Sequence, residues 1–266
     1  MRPLPRRRGI AIVLALLVGC ALNQQQEQVL GDDAAAQVAA ELPLMTDPTV
    51  VRYITALGQQ LAAVTDTRGL AWHFTVVDSR EINAFAVPGG WVYVNRGLIE
   101  QATDMSQLAG VLAHEIGHVT RRHSVEQLQK AQGADLGVTL LCTLTRSCAS
   151  GTGQAAIAVG GTALFARFSR NDEREADVEA VQTVVKAGIA PSGIPAMFRL
   201  LLSARQRNPN ALDAFFATHP LEEERIRDTE SLITAYPAAQ LRGLTRDAPA
   251  FQTMRRRLLA LPPPKK

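Results

Sequence analysis

Polar and apolar positions along this chain repeat with two periods, and the changes of period mark its elements. Residues 32–42 (DDAAAQVAAEL) and 47–65 (DPTVVRYITALGQQLAAVT) carry apolar side chains at helical spacing, with Asp32 and Asp47 as N-terminal signals. The polar run before them, ALNQQQEQ, reads as a short tether. LAWHFTVVDS (70–79) is rich in β-branched and aromatic residues, and NAFAVPGGWVYVNRG (83–97) reads as two strands joined through Pro88-Gly89-Gly90. Helical spacing returns from Asp104 to about Lys130 and again from Arg170 to Lys186, where Gly188 supplies a left-handed stop. Further helices are expected at 191–204 and 220–234, before a tail over 236–266 that ends LPPPKK. The pattern predicts an α+β fold, mainly helical, with one small sheet.

The first residues do not belong to that fold. Arginines at 2, 6, 7 and 8 precede an apolar run, Ile10 to Val18, and the sequence Leu17-Val18-Gly19-Cys20. That is the layout of an export signal over residues 1–19. Nine apolar residues are too few for a membrane span, which needs roughly 20 in a helix. Cysteine directly after Leu-Val-Gly resembles the lipobox of bacterial lipoproteins, which implies removal of the signal and lipidation of Cys20. Ala21 in the next position implies the outer membrane. Acyl burial at about 0.8 kcal/mol per methylene would hold a multiply acylated cysteine firmly. Loss of the signal takes four arginines and no acids, so the formal charge falls from +3 to −1. No basic stripe with interleaved aromatics is left, and nucleic acid is not an expected partner.

Residues 20–45 then hold the lipidated cysteine, tether and first helix, and 46–235 one globular domain. Cys142 and Cys148 remain, close enough in sequence for a local disulfide worth about 2 to 3 kcal/mol in the chain-entropy model; two buried free thiols are the alternative. They lie in a small, apolar, glycine-rich stretch, 133–166, which reads as a buried helix pair or as a flap over the site.

The chemistry concentrates in VLAHEIGHVTRRHS (111–124), where His114-Glu115-Ile116-Gly117-His118 is an H-E-x-x-H motif. At 100° per residue, His114 and His118 fall roughly 40° apart on one helical face, so both imidazoles can reach one ion. Leu108, Leu112, Ile116 and Val119 lie opposite and predict a core-facing flank, while Gly110 and Gly117 leave bare backbone for another segment to approach. The same wheel places His123 about 160° from the middle of the His114/His118 pair, a poor ligand position, so this third histidine is expected to pack or hydrogen-bond elsewhere. Catalytic zinc takes three protein ligands and an open fourth position. FSRNDEREADVEA (168–180) supplies the missing one on a second helix: Glu173 as third ligand, with Asp177 one turn on to accept from a ligand imidazole, that of His114. Glu175 and Glu179 point the other way. Glu115, beside the metal but not bound to it, is then placed as general base.

H-E-x-x-H followed by Ser-Arg-x-x-Glu-x-x-Ala-Asp resembles the HtpX-like zinc metalloendopeptidases, a gluzincin family, and with the lipobox their periplasmic, BepA/LoiP-like branch. INAFAVPGGWVYVNRGLI (82–99) and THPLEEERI (218–226) also resemble family motifs, so the likeness covers about residues 45–230. These 266 residues depart from some members in showing neither a tetratricopeptide array nor transmembrane helices, which bears on substrate recruitment and not on the chemistry.

The resemblance implies a zincin-like domain with one Zn2+ per chain and a small sheet whose edge strand borders the active-site cleft. An extended substrate would add alongside Asn83, Ala84 and Phe85. His219 is implied to lie near the zinc, as a fourth ligand at rest or an oxyanion donor in turnover; Arg225 is implied to assist by charge or to form a structural ion pair. His73 reads as a surface or sheet residue. The expected function is hydrolysis of unfolded or misassembled envelope proteins at the periplasmic face of the outer membrane. The alternatives are a non-hydrolytic chaperone or assembly scaffold using the same groove, and a zinc- or oligopeptide-carrying lipoprotein, against which the base Glu115 counts.

Overall fold

A computed structural model describes residues 22–130, 167–208, 212–221 and 223–264. The signal, Cys20, Cys142, Cys148 and the glycine-rich stretch all lie outside these residues.

Three strands form the sheet. β1 (His73–Val77) runs parallel to β3 (Trp91–Asn95), and β2 (Ala84–Val87) pairs antiparallel with β3, giving the order β1-β3-β2 with β2 at an edge. Pro88-Gly89-Gly90 makes the reversal, with φ of 82° and 105° at the two glycines; a Cβ on Gly90 would fall 2.6 Å from the carbonyl oxygen of Ala71. Strand alternation sends Ala84, Ala86, Val92 and Val94 to the main core and Phe85, Val87 and Tyr93 to the opposite face. On the second face lies α1 (Gln24–Glu41), through Ala34 and Val38.

Helix α1 begins earlier than its apolar spacing predicts. Asn23 and Gln26 form a reciprocal capping box, so most of the run read as a tether is the first part of the helix, and Asp32 is interior to it. Glu27 explains why: it is buried between Arg68 and Arg122, each 2.9 Å from its carboxylate, which pins this polar segment to the body of the protein. By contrast α2 (Pro48–Ala63) starts where expected, with Asp47 accepting from the N–H groups of Thr49 and Val50.

The central helix is α4 (Met105–Thr120), which follows α3 (Arg96–Gln101) and is capped by Asp104. The flank Leu108, Leu112, Ile116 and Val119 is buried, and so is every other residue from Met105 to Val119, because α4 is covered on all sides. Its neighbours are α2, the sheet, α5 (Arg170–Lys186) and α6 (Gly193–Arg207). The two glycines mark the closest approaches: a Cβ on Gly110 would meet Ile194 of α6, and one on Gly117 would stand 3.2 Å from the Cα and carbonyl oxygen of Ala176 in α5. Gly188 has the left-handed φ of 77° that closes α5.

The predicted helix from 104 to 130 is not continuous. It ends at Thr120 and resumes over residues 123–130 after a turn in which Arg122 has φ 62°, a left-handed conformation in a residue with a full side chain.

After α7 (Asp213–Thr218) and α8 (Glu223–Thr234), residues 236–264 also depart from the expectation of a tail. They include a short helix, Ala238–Leu241, and α9 (Pro249–Ala260), whose Phe251, Met254 and Leu258 pack into the main core beside α2 and α3. Arg96, buried, fastens the end of α9 by donating to the carbonyls of Leu258, Leu261 and Pro262 at 3.0, 3.1 and 2.7 Å. The apolar face of α9 is short, and its isolated pattern gives little warning of how deeply it is buried.

Candidate metal centre

Two helices and one loop build the site. Positions 114 and 118 of α4 face α5, and the bare backbone at Gly117 lets the two helices close up so that Glu173 reaches both histidines. The Nε2 atoms of His114 and His118 are 3.0 Å apart, and they lie 3.5 and 3.4 Å from the two oxygens of Glu173. His219 enters from the end of α7, with Nδ1 3.0 Å from Glu173 and Nε2 3.7 Å from Glu115. One ligand atom from each of His114, His118, Glu173 and His219 fits within a sphere where all are 4.8 Å or less from one another. All four side chains are buried, and both carboxylate oxygens of Glu115 are buried beside them without a hydrogen-bond partner.

A second layer sets the charge states. Asp177 lies 2.9 Å from Nδ1 of His114, a carboxylate placed to favour a proton there when Nε2 turns its lone pair to a cation. Arg225 grips both carboxylates of α5: its Nε and Nη2 donate to Asp177 at 2.8 and 2.6 Å, and its Nη1 to Glu173. Its guanidinium also lies over the ring of Phe198, 4.8 Å from the centroid. Phe168 stacks on His118 at 3.9 Å, and Phe215 on His219 at 5.3 Å.

Burial is the largest single influence on Glu115, His118, His114, Glu173 and Asp177; it sets the direction at the first two, and the partners reverse it at the other three. Burial pushes the Glu115 carboxyl up, only partly opposed by the charges of His219 and His114, which suits a group that must pick up a proton. Glu173 is held well below the usual carboxylate range because the charges of His219 and Arg225 outweigh its burial; Asp177 is lowered in the same way, by Arg225 and His114. Burial keeps His118 well below its ordinary value, whereas hydrogen bonds from His114 to Asp177 and Glu173 overcome burial and raise His114 to about 9.

A family model described as "Peptidase family M48" matches residues 48–233. The chain belongs to peptidase family M48. The match starts at α2 and ends in α8, and so contains every residue of the cluster. Among similar proteins, the beta-barrel assembly-enhancing protease of Yersinia pestis is 32% identical over 219 residues, covering 80% of this chain and 45% of its own length. Mitochondrial metalloendopeptidase OMA1 of Schizosaccharomyces pombe is 29% identical over 226 residues, 83% of this chain and 64% of its own length. Metalloprotease YcaL of Escherichia coli K12 is 28% identical over 245 residues, 83% of this chain and 94% of its own. The chain thus spans about half the length of the assembly-enhancing proteases it matches.

M48 metalloproteases use zinc, and the residues present fit that ion. Two imidazole Nε2 atoms 3.0 Å apart face one carboxylate in a buried pocket, the nitrogen and oxygen donor set that zinc takes.

The other sequence-derived residues divide. Asn83, Ala84 and Phe85 lie at the start of the edge strand, whose inner face packs on α4; Phe85 itself turns away from α4 and stacks on Tyr93 at 4.9 Å. His73 is in β1, stacked on Trp91 at 3.8 Å. His123 stands outside the four clustered ligand residues, as expected, but it is not on the far side of α4: its Nδ1 is 2.9 Å from Nδ1 of His118. The wheel assumes an unbroken helix, and the turn at Arg122 breaks it; Arg121-Arg122 contains no glycine or proline that would have signalled this. Phe168 and Phe215 were also missed, because an aromatic ring beside a ligand looks in sequence like any core residue.

Proposed function

We propose that this chain is a zinc-dependent endopeptidase that hydrolyses unfolded or misassembled envelope proteins. One observation carries the reading: His114, His118 and Glu173 converge from two helices while the Glu115 carboxylate lies beside them with no hydrogen bond of its own. When bound, zinc supplies Lewis acidity that acidifies water and polarises a carbonyl. Glu115, kept proton-hungry by burial, takes the proton of the attacking water and returns it to the leaving amine. Asp177 orients His114, and Arg225 neutralises the two carboxylates of α5. His219 faces both Glu173 and Glu115, the place from which a side chain closes the site at rest or donates to an oxyanion.

The substrate class rests on the edge strand: Asn83, Ala84 and Phe85 offer an extended polypeptide a backbone to pair with, which a folded surface cannot use. The names of the relatives, among them a beta-barrel assembly-enhancing protease, support a role in envelope protein quality control. The export signal and lipobox support a lipid anchor at Cys20 and a position on the periplasmic face of the outer membrane. No described helix is long and apolar enough to cross a membrane.

The test uses the chain lacking residues 1–20. Glu115→Gln should retain one zinc per chain and lose casein cleavage by about 10² to 10⁴-fold; undiminished cleavage defeats the assignment, and full rescue of a deletion strain by this variant favours the scaffold alternative. For the anchor, Cys20→Ser should move the full-length protein from the membrane to the soluble fraction and abolish incorporation of labelled palmitate.

A further inference from the structure

Each histidine that offers Nε2 to a cation carries its proton on Nδ1, and that buried N–H needs an acceptor. For His114 the group beside Nδ1 is the Asp177 carboxylate, at 2.9 Å. For His118 the hydrogen-bond partner of Nδ1 among the described residues is Nδ1 of His123, at 2.9 Å. The two rings meet edge to face, 74° apart, and Phe168 covers them from the side, stacked on His118 and tilted against His123 at 6.2 Å. His123 is 3% exposed. To accept through Nδ1 it must hold its own proton on Nε2, which lies 3.7 Å from the carboxylate of Glu175 without a hydrogen bond.

The backbone is built to bring this ring in. A continuous helix would carry position 123 to the far side of α4. Instead Arg122 takes φ 62°, and its side chain is tied to the carboxylate of Glu27 in the first turn of α1 and to the carbonyl of Leu22 just before that helix. Left-handed backbone in a residue other than glycine persists only where its surroundings hold it, and here α1 does so.

We propose that His123 is the positioning residue for His118, fixing its tautomer and ring plane through the Nδ1 to Nδ1 hydrogen bond, with Glu175 behind it. The inference rests on the reading of His118 as a metal ligand. It makes the two ligand histidines of α4 unequal: one is backed by a carboxylate, the other by a neutral imidazole.

The experiment measures zinc affinity by chelator competition, together with the visible absorption of the cobalt-substituted protein, in His123→Leu and His123→Asn. Leucine removes the acceptor; asparagine keeps an oxygen near the place of Nδ1. We expect His123→Leu to weaken zinc binding by about 10- to 100-fold and to shift the cobalt bands. His123→Asn should stay within a few-fold of wild type and keep its spectrum. Thermal unfolding of the metal-free variants reports whether the fold is intact, and where leucine prevents folding His123→Ala takes its place. Wild-type affinity in the variant without an acceptor overturns the proposal, as does an asparagine variant as weak as it. Absence of stoichiometric zinc in the wild-type protein would instead overturn the ligand reading beneath it.

Discussion

At the scale of single residues, the site depends on protons placed by neighbours. In the metal-free protein His114 is raised from 6.5 to about 9. A base whose folded pKa exceeds its unfolded value adds stability that is fully present below pH 6.5 and lost as pH rises through 9. Glu173 and Asp177, held low, stay ionised throughout that window; His118, also held low, adds stability only as pH rises through 6.5, and the raised Glu115 has the same sign as His114. The thermal midpoint in the presence of chelator should therefore fall between pH 6.5 and 9, while zinc affinity rises over the same interval because the ion no longer displaces a proton. A midpoint that climbs would contradict the arrangement of His114 and Asp177. What could be read at this scale were the motif residues, since an i,i+4 histidine pair on a helix has one geometry. What could not were His123, Phe168 and Phe215, whose relation to the cluster depends on a break in the helix and on segments distant in sequence.

At the scale of elements, the decisive contact is between α4 and α5. Their spacing is set by a residue with no side chain, so Gly117→Ala would place a methyl 3.2 Å from the backbone of Ala176, where little can yield. The expected cost is about 1 to 3 kcal/mol of stability. Because Glu173 rides on the displaced helix, zinc affinity should fall with it; calorimetry and chelator competition on one preparation check both. The alternation in the strands and the capping of α2 by Asp47 were legible because each is decided by neighbours in the chain. The onset of α1 was not, since Glu27 becomes helical and buried only when Arg68 and Arg122 are supplied from far along the sequence.

At the scale of the whole molecule, the C-terminal segment behaves as part of the domain. Phe251 is fully buried between α2 and α3, and its replacement by alanine should cost about 3 to 5 kcal/mol, read as a shift of the urea midpoint with an unchanged slope. A loss below about 1 kcal/mol would mean that the segment is dispensable after all. The M48 match ends at residue 233, short of α9, so this closing helix lies beyond the part of the chain that the family model describes.

The early start of α1 bears on reach. Cys20 stands only four residues before Gln24, and an extended chain covers at most ~3.5 Å per residue, so an acylated Cys20 would leave a leash of about 14 Å. Glu27 clamps the helix at the other end of that leash. A domain so anchored would patrol only the layer immediately above the lipid, and polypeptides emerging at the bilayer surface would come within its range before those free in the surrounding fluid.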